Sequence, residues 1–208
     1  MRRHSPIRLR SLLQQTWERL RGRDQLLVRA GEDLPLFVFS FPRARAPFAD
    51  HLRSAVCLTY RQLSGDLRRQ YSHVLPRLPS LVVVLLRGRN LCSCLGHHHP
   101  PGTESHVARR LAADTGLRVG EIDLAVEAIR AWEPLPLASL AAQPPPDLQP
   151  ELDQFRFHAA LLAVFLHELE HLAFPDLEEG PVRRRSTDFY AASLREFFSQ
   201  QLGASYGI

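Results

Sequence analysis

The chain has 208 residues, of which 45% are hydrophobic and 23% are charged, as in an ordinary globular protein. This length can bury a core without disulfides or metals, and the composition excludes a disordered chain, a collagen-like fibre and a disulfide-dense secreted knot. The sequence contains no run of roughly 18 uncharged apolar residues, so we predict no transmembrane helix and no membrane partner.

The basic residues give the chain a net charge of +4, and all 26 of them are arginine. Mild positive charge without a contiguous stripe is weak evidence for a nucleic-acid partner. The three cysteines include Cys92 and Cys94 and do not predict a disulfide framework. The basic start of the chain is not followed by the apolar segment of a signal peptide, so we expect a cytoplasmic protein.

The first half of the chain predicts two helices and three strands. In chain order these are an amphipathic helix over 7–21, a hairpin formed by 25–30 and 36–41, a helix over 49–71, and a strand over 81–86 that is buried on both faces because its apolar run is continuous. A loop over 88–102 follows and contains both of the cysteines named above and His97–His99.

The second half predicts four helices around a stiff connection. Two helices span 103–115, capped by Gly116, and 119–132. A proline-rich linker over 134–150 is predicted to separate an N-terminal α/β subdomain, 1–133, from a helix pair, 151–208. The first helix of that pair spans 151–174, and Ser186 is expected to cap the last helix, which runs to about Gln201.

The long predicted helix contains the pattern H-E-x-x-H, formed by His167, Glu168 and His171. Residues four apart lie on the same face of an α-helix, so both imidazoles can reach one metal ion. The intervening glutamate points to the adjacent face, close enough to accept a proton from a metal-bound water. This residue order is the zincin signature, in which Zn²⁺ activates the water and the glutamate is the general base.

The sequence therefore resembles the zincin metallopeptidases over the active helix and the residues that follow it, about a fifth of the chain. It departs from the metzincin pattern, because Phe174 and Leu177 occupy the positions of the expected glycine and third ligand. The resemblance to the gluzincins implies an acidic third ligand on the next helix. Asp188, in the first turn of the predicted last helix, is our first choice.

Other acidic and basic residues near the motif have alternative interpretations. Glu178 and Glu179 are rival third ligands in the predicted connection, and Asp188 could simply favour the helix dipole. Arg183–Arg185 could bind a substrate carboxylate, pair with a nearby glutamate or be solvated. Tyr190 could stabilise an oxyanion, but on a helix it would face away from Asp188.

A second set of candidate ligands, formed by the cysteines and histidines of the 88–102 loop, has poor spacing for a structural zinc site. If that loop covered the active helix, one of its histidines could act in catalysis.

We predict an α+β, zincin-like fold with a small mixed sheet and helices on one face, including the long active-site helix. The predicted function is zinc-dependent hydrolysis of a peptide or protein substrate, with Zn²⁺ held by His167, His171 and Asp188 and with Glu168 as general base. The alternative is a non-catalytic module of similar shape that binds nucleic acid or a protein through its arginine-rich surface.

Overall fold

The computed structural model describes residues 23–29, 35–42, 74–87, 94–103, 105–134 and 146–206. The predicted helices over 7–21 and 49–71, and most of the predicted linker, lie outside these ranges. The strands are β1 Arg23–Arg29, β2 Leu36–Pro42, β3 Leu81–Arg87, β4 Gly96–His99 and β5 Val119–Ala125. The helices are α1 His106–Thr115, α2 Val126–Arg130, α3 Gln149–Ala173 and α4 Glu179–Tyr206, with short 3₁₀ turns at Leu75–Arg77 and Pro146–Leu148.

The strands form a five-stranded mixed sheet in the order β1-β2-β3-β5-β4. The predicted hairpin is confirmed, since β1 and β2 pair antiparallel. β2, β3 and β5 run parallel to one another, and β4 lies antiparallel to β5 at the sheet edge. The molecule is therefore a mixed α+β fold in which β4 is one edge strand.

The centre of the sheet contains one confirmed prediction and one error. Leu81–Arg87 is buried on both faces between two parallel neighbours, as its continuous apolar run predicted. The helix predicted over 119–132 is wrong, because its first seven residues form β5 and only Val126–Arg130 is helical. The apolar residues at helical spacing suggested one helix, but pairing on both sides with β3 and β4 stabilises a strand.

Helices cover both faces of the sheet, which corrects the prediction of helices on one face. On one face, Phe37, Phe39 and Phe165 bring β2 and α3 into a core that also includes residues of α4. On the other face, Ala108 and Leu111 of α1 join a smaller core with the opposite side of β2 and β3. α1 ends as predicted at Gly116, which has a φ of 67° and donates its N–H to the carbonyl of Ala112.

The long helix α3 confirms the element predicted over 151–174. It has 25 residues, and Pro150 lies in its first turn, where a missing N–H breaks no intrahelical bond. Sixteen of its residues are buried, because the sheet packs on one side and α4 on another. The H-E-x-x-H motif consequently lies inside the protein rather than on a solvated helix face.

The last helix begins earlier than the sequence suggested. α4 starts at Glu179, whereas Ser186 was the predicted N-cap, and it continues past Gly203 to Tyr206. The predicted connection is thus reduced to a few residues after Phe174. This earlier start changes which acidic residue begins the helix, and it therefore changes the candidate third ligand.

The sheet, α3 and α4 share one hydrophobic core, so the described part of the helix pair packs directly on the sheet. The proposed subdomain boundary at 134–150 remains a prediction. No helix within the described ranges combines the length and the apolar character that crossing a bilayer requires.

Candidate metal site

The two motif histidines lie close together on α3. His171 follows His167 by four positions, about one helical turn, and their ring centroids are 4.9 Å apart. His171 is buried and His167 is half-buried. Burial lowers the pKa of His167 below its ordinary value of 6.5, which favours the neutral imidazole that binds a metal.

Glu179, the first residue of α4, faces both imidazoles. Its Oε2 lies 3.4 Å from Nε2 of His167 and 3.2 Å from Nε2 of His171. The same carboxylate oxygen therefore faces a nitrogen of each ring, and the three candidate donor atoms all lie within 4.8 Å of one another. We call this group, His167, His171 and Glu179, the His167 site.

The spacing of these donor atoms fits a small tetrahedral cation. Ligands held tetrahedrally at about 2.0–2.1 Å from zinc lie roughly 3.4 Å apart. The two distances to Glu179 agree with that separation, and two imidazoles with one carboxylate are a donor set that zinc accepts. Three protein ligands also leave a fourth position free for a water or a substrate.

Asp188, the predicted third ligand, does not join the His167 site. It is exposed, and it lies nine residues after Glu179, about two and a half turns along α4. Glu178 is also exposed and outside the group. The structure therefore brings Glu179 to the histidines, the residue that the sequence offered only as a rival.

Glu168 lies beside the His167 site but is not part of it. Its side chain is only 8% exposed, and its Oε2 is 3.0 Å from Nδ1 of His98 on β4. The ring of His98 in turn stacks on that of His171, with centroids 5.1 Å apart and planes 9° from parallel. The carboxylate is thus held next to the candidate metal ligands, as a general base would have to be.

The prediction of an irregular loop over 88–102 is wrong for its last part, because residues 96–99 form the edge strand β4. The sequence left open that one histidine of this loop acts beside the active helix but did not single out His98, whose only signal was its place in a short run of histidines after Gly96. Cys94 lies just before β4 and is disulfide-bonded.

A cavity of about 580 Å³ opens over the His167 site. Its walls come from three parts of the chain: the segment around β4, the motif face of α3, and the first turns of α4. Trp132 and Val164 add apolar surface, and Arg183 and Thr187 add polar groups. The cavity is large enough for a short stretch of an extended peptide or a ligand of similar size.

The three arginines of Arg183–Arg185, on α4, have different surroundings. Arg185 donates two hydrogen bonds to Glu170, at 3.1 and 2.5 Å, and so joins α4 to the face of α3 next to the motif. Arg183 is largely exposed and lies 3.7 Å from Glu179. One of the three arginines therefore pairs with a buried glutamate, which was one of the alternatives that the sequence left open.

A second group of metal-binding residue types lies on the opposite face of the sheet. His99, Glu121 and Asp123, here called the Glu121 cluster, also have donor atoms within 4.8 Å of one another. Asp123 accepts a hydrogen bond from Nε of Arg87 at 2.9 Å. Glu121 accepts from the Ser105 hydroxyl and from the backbone N–H of Ala108 at the start of α1. Both carboxylates already have protein donors.

Tyr190 does not reach the cavity. It is buried in the core, where its ring lies 5.7 Å from that of Trp132, so it is not placed to stabilise an oxyanion. The described part of the site thus comprises two imidazoles, one shared carboxylate and an adjacent buried glutamate facing an open cavity. Searches with the sequence and the structure against protein-family models, curated proteins and solved structures found no match.

Proposed function

We propose that this chain is a zinc-dependent hydrolase that cleaves peptide bonds and has a zincin-like arrangement of its active helix. The observation that carries the proposal is the convergence of two Nε2 atoms, one from each end of H-E-x-x-H, on a single oxygen of Glu179. The contact of His171 with Glu179, at 3.2 Å, is also within hydrogen-bond distance, but a hydrogen bond needs only one imidazole. Two imidazoles and a carboxylate whose donor atoms all lie within 4.8 Å form a set that can hold zinc.

In this proposal, His167, His171 and Glu179 hold Zn²⁺. Bound there, the ion would lower the pKa of a coordinated water and polarise the substrate carbonyl. Glu168, buried next to the ligands and not itself in the group, accepts a proton from the attacking water and then donates it to the leaving amine. The cavity leaves room for the substrate beside these residues.

Contacts made by two arginines of α4 support the proposed role of Glu179 as a ligand. The guanidinium of Arg183 lies 3.7 Å from Glu179, one turn along α4. Glu170 is tied to Arg185, so the face of α3 behind the motif is fixed to the helix that carries Glu179. Groups that orient ligands in this way commonly affect metal affinity by about 10- to 100-fold.

Metal analysis of purified protein tests the proposal. After dialysis against zinc in a non-chelating buffer, we expect one Zn²⁺ per chain by mass spectrometry of the metal. His171→Ala should lose this zinc, whereas His99→Ala, which alters only the Glu121 cluster, should keep it. Wild-type protein without stoichiometric zinc would refute the proposal. Salt-sensitive binding of RNA or DNA that survives His167→Ala would instead favour the non-catalytic alternative.

A further inference from the structure

The edge strand β4 lies against the side chain of Glu168, and two of its residues make the contact. His98 is bonded to the carboxylate, with Nδ1 and Oε2 3.0 Å apart. An ionised carboxylate only accepts hydrogen bonds, so Nδ1 carries the proton and donates it. Side chains alternate along a strand, and His97 and His99 consequently point to the other face.

The second contact is between Glu168 and the backbone of Gly96, which can approach closely because glycine has no side chain. A Cβ at this position would lie 2.6 Å from both Cγ and Oε1 of Glu168, far inside van der Waals contact. The glutamate therefore occupies the space next to the strand backbone that any other residue at 96 would fill. The backbone on one side and the imidazole on another restrict where this carboxylate can lie.

We infer that Gly96 and His98 are positioning residues that hold the Glu168 carboxylate in the orientation it needs as general base. This inference rests on the proposed function. A general base must lie within hydrogen-bond reach of the proton that it abstracts, and a free glutamate side chain has three rotatable bonds. Fixing the carboxylate by one donor and one steric wall removes that freedom before substrate binds.

His98 also touches a candidate ligand, since its ring stacks on His171. Two substitutions separate this stacking from the hydrogen bond. His98→Phe keeps an aromatic ring against His171 but removes the donor. His98→Asn removes the ring but places an amide N–H near the former position of Nδ1. His99→Phe, on the opposite face of the same strand and outside the cavity lining, is the matched control.

The experiment measures kcat, KM and zinc affinity on zinc-loaded protein. The probe is the quenched-fluorescence peptide that the wild type cleaves fastest in a mixed library. We expect His98→Phe to lower kcat by about 10- to 100-fold with KM and zinc affinity nearly unchanged, and His98→Asn to recover most of the loss. Gly96→Ala should lower kcat in the same way, and His99→Phe should not.

Wild-type kcat in a folded, zinc-loaded His98→Phe would overturn the inference. A parallel loss of zinc would also overturn it, since His98 would then act through the metal. A readout on zinc-free protein is independent of activity: ring ¹⁵N spectra should show His98 protonated at Nδ1, with its shift altered in Glu168→Leu. If the wild type binds no zinc, the proposed function fails, and an unaltered His98 spectrum would separately refute the contact.

Discussion

Two groups of similar residues, with different surroundings, lie on opposite sides of the β4–β5 edge of the sheet. The His167 site and the Glu121 cluster each combine histidine and carboxylate donors within 4.8 Å. In the Glu121 cluster, Arg87 and Ser105 already donate to the two carboxylates. In the His167 site, one oxygen faces two imidazole nitrogens and an open cavity.

This difference separates a candidate metal site from a structural network. A cation must compete with whatever already donates to its ligands. The carboxylates of the Glu121 cluster accept hydrogen bonds from Arg87 and Ser105, whereas Arg183 lies 3.7 Å from Glu179, beyond hydrogen-bond distance. In the His167 site, two imidazole nitrogens face one carboxylate oxygen, and a cation between them can bind all three atoms. The types of residue present are alike on the two faces, and their hydrogen-bond partners distinguish them.

Glu168→Gln should have the largest effect and tests the chemistry assigned to the His167 site. Glutamine fills the same space but cannot take a proton, so hydrolysis of the library peptide should fall by about 100- to 10,000-fold. Zinc content should be unchanged, because Glu168 is not among the ligands. Glu178→Gln, at an exposed neighbour of α4, is the control. Full activity in Glu168→Gln would show that Glu168 is not the general base.

The third ligand is tested by comparing Glu179→Ala with Asp188→Ala. Removing Glu179 takes away the oxygen that both imidazoles face, so zinc affinity should fall by at least about 100-fold in competition with a chromophoric chelator. Asp188 is exposed and lies outside the group, and its loss should leave the affinity unchanged. If Asp188→Ala lowered the zinc affinity and Glu179→Ala did not, Asp188 would be the third ligand, as the sequence first suggested.

The sequence favoured Asp188 over Glu179 because it misplaced the start of the last helix. Gly180 and Pro181 resemble a break between helices, so the sequence placed the helix start at Ser186. Proline is tolerated in the first turn, where its missing N–H has no intrahelical partner to lose, and α4 therefore begins two residues before Pro181. The motif itself was predictable because periodicity and the absence of breakers define α3 locally.

The histidine on β4 could not be placed from local patterns. A four-residue edge strand has too few residues to show alternation, and its pairing partner β5 was itself predicted as helix. Both elements form because non-local hydrogen bonds complete the sheet beside β3. Contacts that depend on this pairing, such as His98 with Glu168, are visible only once the strand order is known.

Arg185→Leu tests whether the pairing of Glu170 is structural, as in the Glu121 cluster. Glu170 is only 3% exposed, and the substitution leaves its carboxylate without both guanidinium hydrogen bonds. The free energy of unfolding should fall by about 2 kcal/mol in urea titrations of zinc-free protein. Arg184→Leu, at an exposed neighbour, should change it by less than about 0.5 kcal/mol. Equal stability of the two variants would contradict this role.

Glu121→Gln should have the smallest effect on the free energy of unfolding, and it tests whether the Glu121 cluster is a structural network that binds no metal. Burial raises the pKa of Glu121 above its ordinary value of 4.5, so the folded state holds this proton more tightly than the unfolded state. The free energy of unfolding of the wild type should therefore fall as pH rises from about 4.5 through the raised pKa.

The glutamine variant keeps an oxygen for Ser105 but has no proton to lose, so its stability relative to the wild type should rise across that pH range. Urea titrations at several pH values measure the difference, and Glu127→Gln, at an exposed carboxyl on α2, controls for the loss of one charge. Arg87 and Ser105 already donate hydrogen bonds to the carboxylates of the Glu121 cluster. Added zinc should therefore leave the stability curve of a His171→Ala variant, whose His167 site is disabled, unchanged in this pH range. If zinc stabilised that variant, the Glu121 cluster would also bind the metal, and the difference drawn between it and the His167 site would be wrong.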